Sequence, residues 1–398
     1  VNGWRFSPLV DLVQERQISY GVVQPGNDSA TGIPIVRVKD VRNGIIDTSS
    51  PMRVAEEISR AHSRTTLVGG ELLLTLVGTV GESAVVPESL AGWNVARAIA
   101  VIRPEGVSSR WLQLCFESPK TIESIRGVLN TTVQATLNLS DLKQIPIPIP
   151  PEPIRLGIEE VVRALDDKIA ANTTLAGTAE KLAATEFHRR VGHLPFSQQA
   201  FGDLAKVSGG GTPSTSIPEF WSGDVLWATP TDVTALKGPY LSATSRRISD
   251  AGLAACASEL YPPGAILMTS RATIGAFALA QEPMAVNQGF IVVQPHDPDL
   301  RFWFFHEMRS RVEEFISLAN GATFLELSRG NFKKFKVRLA EPHVMEQFVA
   351  LAEPLHAAAA NALSENAKLA ATRDALLPQL MSGKLRVKDA EALVAAAV

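Results

Sequence analysis

Two stretches of this chain follow one plan, and that repetition constrains the fold more than any single motif. Residues 68–105 read VGGELLLTLVGTVGESAVVPESLAGWNVARAIAVIRPE, and residues 261–296, about 190 positions on, read YPPGAILMTSRATIGAFALAQEPMAVNQGFIVVQPH. Both run as Gly, an apolar strand, Thr, a T-[VI]-G turn, a second strand, then Asn and a third apolar strand ending at Pro. Thr75, Thr79, Gly81 and Asn94 align with Thr269, Thr273, Gly275 and Asn287. Downstream, LNLSDLKQIPIPIPPEP (137–153) parallels LELSRGNFKKFKVRLAEP (325–342), and KLAAT at Lys181 recurs at Lys368. Blocks repeated in one order imply a duplicated unit, here a β-rich module followed by a long helix.

Within each module the pattern is mixed α/β with more strand than helix. IPIVRVKDV (33–41) and DVLWATPTDV (224–233) read as short strands bounded by turn residues. Residues 85–86, 98–102 and 289–293 supply buried strands, and 110–125 and 299–318 supply a matched pair of helices. Past each module, apolar or small residues recur at steps of three and four. The first stripe is Ile154, Ile158, Val161, Leu165, Ile169, Asn172, Leu175, Ala179 and Leu182. The second is Phe348, Ala352, Leu355, Ala359, Ala362, Asn366, Leu369 and Leu376. This is a coiled-coil seam, on helices of about 35–40 residues, or roughly 55 Å each at 1.5 Å per residue. Helices this long need a partner, and an antiparallel pair is the simplest one for two modules in tandem. Asn172 and Asn366 either pin the register through a polar partner or face solvent beside the seam. Pro354 removes a backbone donor and is expected to kink the second helix.

Composition narrows the class. At 398 residues, 45% hydrophobic and 20% charged, the chain suits two or three folded domains rather than disorder. Its two cysteines, Cys115 and Cys256, are far apart and suggest neither a disulfide framework nor a zinc site, which fits a reducing cytoplasm. No apolar run approaches the roughly 20 residues of a membrane span. The start at Val1 rather than Met, with no basic and apolar leader, reads as trimmed rather than secretory. A net charge of -3 argues against a basic DNA-coating protein but leaves local cationic patches open.

Several segments carry a family resemblance. GTPSTSIPEFWSGDVLWATPTDV (211–233), TSRATIGAFALA (269–280) and NQGF (287–290) resemble target-recognition domains in specificity subunits of type I restriction–modification systems. ISYGVVQPG and GIPIVRVKDVRNG in the first module look like a variant of that domain. IPIPIPPEPIRLGIEEVVRALDDKI (145–169) and LLPQLMSGKLRV (376–387) resemble the family's central and C-terminal conserved helices. The resemblance implies an α+β fold: two tandem mixed α/β target-recognition domains, separated by two long helices that form an antiparallel coiled coil. Its expected boundaries are 1–151 and 191–341 for the recognition domains, 152–190 for the spacer helix and 342–398 for the C-terminal helix and tail.

The resemblance further implies that each domain reads one half of a bipartite, asymmetric duplex target. The helices would space the readers and dock two methyltransferase subunits, which bind the S-adenosylmethionine, with two translocating restriction subunits as optional additions. The chain itself would need no cofactor and no metal. Two linked readers raise avidity by making the second contact intramolecular. The alternatives are a solitary specificity subunit of a modification-only system, a coiled-coil adaptor that reads no bases, and a divergent nuclease or methyltransferase whose catalytic residues follow no recognised pattern.

Candidate DNA contacts lie in the loops. In the first module they are Arg37, Lys39 and Arg42 after the first strand, the basic set Arg53, Arg60 and Arg64, and Thr79. In the second they are Thr212, Ser214, Thr229, Thr231, Arg246, Arg247, Arg271, Thr273 and Gln288, with Trp227 and Asp232 close in sequence. Arg271 has the chemistry for guanine, and Gln288 or Asn287 for adenine. Lys333 and Lys334, with Lys336 and Arg338, suit phosphates or simply flank a strand. Any one exposed cation has a solvated surface charge as its alternative. Asn94 and Asn287, being repeated, read as scaffold, because base-reading residues should differ between modules.

No catalytic set is recognisable. Gly209–Thr212 (GGGT) lacks the Lys-Ser/Thr of a nucleotide-binding loop and reads as a flexible turn. Tyr261-Pro262-Pro263-Gly264 lacks the frame of an adenine-methyltransferase tetrapeptide, no G-x-S-x-G elbow occurs, and the seven histidines show no metal-ligand pairing. Glu159, Glu160, Asp166 and Asp167 are expected on a solvated helix face.

Overall fold

The computed structural model describes residues 3–129, 135–271, 273–319 and 325–395, and among these the side chains of residues 16 and 17 fall outside the description. Val1, and Ala272 within the repeated hairpin, therefore lie outside it. The chain divides into two compact units, residues 1–167 with 369–398 and residues 168–368.

The first unit is built on an antiparallel sheet in the order Val13–Tyr20, Ile99–Pro104, Leu72–Thr75, Ser83–Val85. Beside it a smaller sheet orders Met52–Val54, Ile33–Val36 and Asn94–Val95, the last pair parallel. Arg5–Pro8 pairs with Pro146–Ile149, closing the module where its first strand meets its last. The second unit repeats this. Its main sheet orders Ala205–Ser208, Phe290–Pro295, Ile266–Thr269, Phe277–Ala280 and Tyr240–Leu241. Its small sheet orders Arg246–Ile248, Val225–Ala228 and Met284–Val286, and Phe196–Ala200 pairs with Lys336–Arg338. Leu72–Thr75 and Ile266–Thr269 are buried at every position, so they read as apolar runs rather than alternating strands.

Several expected elements change form. Residues 33–41 and 224–233 are not continuous strands: each strand stops at Val36 or Ala228, and a helical turn follows at Val38–Asp40 or Pro230–Thr234. Asp40 and Asp232 cause the turns. Their carboxylates accept the Arg37 and Thr229 backbone N–H at 2.8 and 2.7 Å, satisfying donors a strand partner would otherwise take. The single helices expected over 110–125 and 299–318 are each two. Pro119 has no N–H to donate and Ser118 before it is extended, ψ 141°, so Ser109–Glu117 ends and Pro119–Gly127 begins. The counterparts are Leu300–Arg309 and Val312–Ser317. Trp111 and Trp303, both fully buried, donate their indole N–H to the carbonyls of Pro148 and Arg338 at 3.0 and 2.7 Å, which ties helix to closing strand alike in both modules.

The long helices are Glu152–Val191 and Pro342–Met381, and the second runs unbroken through Pro354. They pack antiparallel. In the first unit Arg373 Nη1 meets Asp166 Oδ1 at 2.9 Å. In the second, Asn172 Nδ2 donates to Glu365 Oε2 at 2.6 Å, and Asn366 Nδ2 donates to the Ile169 carbonyl at 3.1 Å and to Thr173 Oγ1 at 3.0 Å. Both asparagines are thus cross-helix register contacts, not solvated ones. The seam follows the expected stripe at Ile158, Val161, Leu165, Asn172 and Ala179 and at Phe348, Ala352, Ala359, Ala362, Leu369 and Leu376, all buried, and departs from it at Ile154, Leu175 and Leu182. Ala176, Ala179, Ala183 and Phe187 are buried, whereas Leu175 and Leu182 are 48% and 45% exposed and Ile154 is exposed. At Leu175 and Leu182 the buried residue is instead the alanine one position on, Ala176 or Ala183, where close helix approach favours the smaller side chain. Phe187, Phe348, Ala352 and Ala359 join Trp303 and Phe305 in one core, so in this unit the long helices are part of the module's core. Two of the expected solvated acids are also not solvated. Glu159 is 4% exposed and accepts from Ser108 Oγ at 2.8 Å, and Asp166 pairs with Arg110 and Arg373.

Candidate nucleic-acid interface

In each module the same end of the main sheet gathers three loops. In the second unit Gly209–Thr212 leaves the strand Ala205–Ser208, the turn after Ile266–Thr269 returns at Gly275, and residues 287–289 lead into Phe290–Pro295. The turn is built alike in both halves. The Thr75 hydroxyl bonds the Thr79 carbonyl and the Thr269 hydroxyl bonds that of Thr273 (2.5 Å), while the Gly81 and Gly275 N–H groups return to Thr75 and Thr269 at 3.0 Å. Gly81 and Gly275 sit at φ 97° and 88°, the left-handed region that requires glycine. The aligned Thr and Gly pairs therefore correspond in space.

The asparagines do not. Ala96 N–H bonds Val36 O at 2.9 Å, as Asn287 N–H bonds Ala228 O at 3.0 Å, and Leu76 N–H bonds Ala98 O as Ser270 N–H bonds Gly289 O, both at 2.8 Å. Asn94 thus corresponds to Ala285, and Asn287 to Ala96. Letter matching slipped by two residues because strands of period two look alike after such a shift. The scaffold role holds nonetheless. Asn94 is fully buried among Thr65, Ser59 and His62, and Asn287 Oδ1 accepts the Gly289 N–H at 2.8 Å.

GGGT is not a flexible turn. A Cβ on Gly210 would fall 1.8 Å from Val286 O, and one on the matching Gly21 would fall 2.1 Å from Val95 O, so only glycine permits the approach. The Trp227 indole donates to Gly211 O at 3.1 Å and the Tyr261 hydroxyl to Gly209 O, so the loop is held from both sides.

On this face of the second module lie exposed Thr212, Ser214, Thr231, Arg246, Arg271, Thr273 and Gln288. Thr212 Oγ1 donates to Gln288 Oε1 at 2.5 Å. Arg246 stacks over Trp221 with its guanidinium carbon 3.6 Å from the ring centroid, an aromatic–cation platform beside the loop. Arg271 is not free: its Nη2 lies 2.9 Å from Glu326 Oε1, and the two residues are bridged through their backbones. Thr229 faces inward, its hydroxyl 2.6 Å from Asp232 Oδ2. Burial raises the Asp232 pKa, but hydrogen bonds from Thr229 and Ser245 outweigh it and hold the carboxyl below its usual value. Arg247 reaches toward Asp224 at 3.5 Å. In the first module Lys39, Arg42 and Thr79 are exposed at the corresponding loops. Arg37 is committed, with Nε and Nη2 donating to Asp40 at 2.8 and 3.0 Å and Nη2 also to the Ser50 carbonyl. The Asp40 hydrogen bond raises its pKa further.

Other candidates lie elsewhere. Arg53 donates to Gly32 O at 3.0 Å, Arg60 pairs with Glu56 at 2.7 Å, and the Arg64 carbonyl receives Arg103 from the far end of the sheet. Lys333 and Lys334 are exposed at the end of the second unit's sheet away from its loops, where Gly202 N–H bonds Lys333 O; Arg338 pairs with buried Glu307 and Lys336 with the Gln198 carbonyl. The sequence reading missed Arg97, which is exposed on the loop face, and Arg329, whose side chain lies within 3.4 Å of where a Gly209 Cβ would stand. Arg97 was findable only by placing the repeat in the correct register. Among the described residues no group of three or more His, Cys, Asp or Glu side chains is placed to hold a metal, and no helix is long and apolar enough to cross a membrane.

Two modules of one plan, each joined to a long helix and each carrying a three-loop polar face, make this a duplicated chain. The chain belongs to the type I restriction modification DNA specificity domain family, whose model matches residues 18–181 and 197–347. It is 32% identical over 168 residues to the type I restriction enzyme MjaIX specificity subunit of Methanocaldococcus jannaschii, covering 41% of this chain and 39% of that protein. It is 33% identical over 150 residues to the EcoBI specificity subunit of Escherichia coli, covering 37% and 31%. The matched segments thus span well under half of these two relatives. The crystal structure of a type I restriction–modification S subunit from M. genitalium shares the fold, with a TM-score of 0.59 at 13% identity over 95% of this chain and 96% of that one.

Proposed function

We propose that this chain is the sequence-reading subunit of a type I restriction–modification complex: each module's loop face contacts one half of a bipartite, asymmetric duplex site. The observation that carries this reading is that one constellation of three loops occurs twice with different exposed side chains. A repeated frame with unlike surfaces is what two readers of unlike half-sites require. The chain would work without catalysis of its own, in a complex whose methyltransferase subunits bind S-adenosylmethionine and modify adenine, with restriction subunits as further partners. Thr212, Ser214, Thr231, Arg246, Arg271, Thr273 and Gln288 would face one half-site, and Lys39, Arg42, Thr79 and Arg97 the other. Thr229 and Arg37 would support these loops from within. Exchanging residues 191–341 for the second module of another specificity subunit tests this: one half of the bound motif should change and the other stay. A change in both halves would contradict it.

A further inference from the structure

We propose that Arg97 and Gln288 occupy one shared base-reading position, Arg97 addressing a guanine in one half-site and Gln288 an adenine in the other. This rests on the reading of the loop faces as DNA-contacting and names the residue in each that discriminates.

The equivalence comes from backbone geometry. Each residue lies between two locked neighbours: Ala96 and Ala98 in the first module, Asn287 and Gly289 in the second, held by the matching hydrogen bonds to Val36 and Leu76 and to Ala228 and Ser270. Each also immediately precedes the residue that leads into the second strand of its sheet order, Ile99–Pro104 or Phe290–Pro295. The backbone at the two positions is therefore the same while the side chains differ in kind.

Both side chains are exposed and chemically available. Among the described residues the Arg97 guanidinium has no hydrogen-bond, ion-pair or ring partner, whereas Arg37 close by in the same module is fully committed to Asp40 and Ser50. An unpaired guanidinium on a rigid loop can offer two parallel N–H groups to guanine O6 and N7. Gln288 is oriented instead: Thr212 Oγ1 donates to one lone pair of Oε1 at 2.5 Å. The second lone pair remains for adenine N6–H, and the amide N–H remains for adenine N7. In the first module Val23 stands where Thr212 does, since Val22 N–H bonds Val95 O at 2.7 Å as Gly211 N–H bonds Val286 O at 3.1 Å. Val23 has no hydroxyl to donate, and an arginine has no acceptor to receive such a bond. The orienting residue thus changes together with the residue it would orient.

The test is selection of duplexes from a randomised pool by the full chain, comparing wild type with Arg97→Gln and Gln288→Arg. Wild type should yield a split motif. Arg97→Gln should lower preference for one guanine by roughly 5- to 150-fold, the range of one bidentate pair, and leave the other half of the motif intact. Gln288→Arg should do the same at one adenine of the other half, replacing it with guanine. The untouched half-site reports folding within the same experiment. Uniform weakening with every base preference retained would make these residues phosphate contacts and overturn the inference while leaving the two-reader model standing. A wild-type chain that selects no motif would overturn the reading beneath it.

Discussion

Acidification should weaken the second unit through a buried histidine pair. His306, on Leu300–Arg309, and His356, on the second long helix, are 3% and 2% exposed, with their Nε2 atoms 3.0 Å apart. His356 Nδ1 shares a hydrogen bond of 2.7 Å with the Tyr240 hydroxyl and its ring stacks on Phe302 at 4.2 Å. Burial, then mutual repulsion and Arg309, push His306 down to about 2; burial, then Arg309 and Arg301, push His356 down to about 3. Both are therefore neutral when folded but titrate near 6.5 once unfolded. A depressed histidine leaves stability intact above the unfolded value and removes it as pH falls below that value, because only the unfolded chain gains protons. Between pH 7 and pH 5 the loss is about 2 kcal/mol per histidine, about 4 kcal/mol for the pair. The perturbation is His306→Gln with His356→Gln, which removes the titration but keeps polar pairing. Urea unfolding of the full chain at pH 7, 6 and 5, followed by tryptophan fluorescence, measures it. The wild-type unfolding free energy should fall steeply over this range, and that of the double variant should stay flatter by about 4 kcal/mol. Parallel pH dependence in the two proteins would refute the reasoning.

Three further outcomes follow from single contacts. Glu307 is fully buried and its carboxylate meets Arg311 at 3.2 Å and Arg338 at 2.8 Å; Glu307→Gln leaves both guanidiniums short of charge and should destabilise the protein by about 3–5 kcal/mol in urea melts. Gly210→Ala places a methyl against Val286 O and should release the Gly211 amide from that carbonyl, read as faster hydrogen exchange there with the long helices still protected. Arg246→Ala removes the cation over Trp221 and should weaken duplex binding while reducing the salt slope by about one, measured by titration at several ionic strengths.

The architecture was legible because duplication is a long-range signal that survives errors of a residue or two. Gly81 and Gly275 marked the turn because only glycine tolerates its backbone. Local detail was harder. Thr229 read as a DNA contact at the edge of a segment taken as strand, yet Asp232 three residues on turns it into a cap; the spacing was present, but the strand pattern around it dominated. Leu175 and Leu182 outranked Ala176 and Ala183 in hydrophobicity, although distance between helix axes, which sequence does not carry, decides which stripe is buried. The candidate face was half visible. Its threonines and Gln288 lay in motif loops, whereas Arg97 was hidden by a two-residue slip and the commitment of Arg37 and Arg271 to Asp40 and Glu326 depends on contacts no spacing rule supplies.

The central claim is that this chain tells a methyltransferase where to act. Co-expressing it with the adenine methyltransferase subunit of its own system in a methylation-free host, and mapping methyladenine genome-wide with and without it, tests that claim directly. A split, asymmetric motif present only when the chain is present is the predicted result. Methylation that is the same without it would contradict the account.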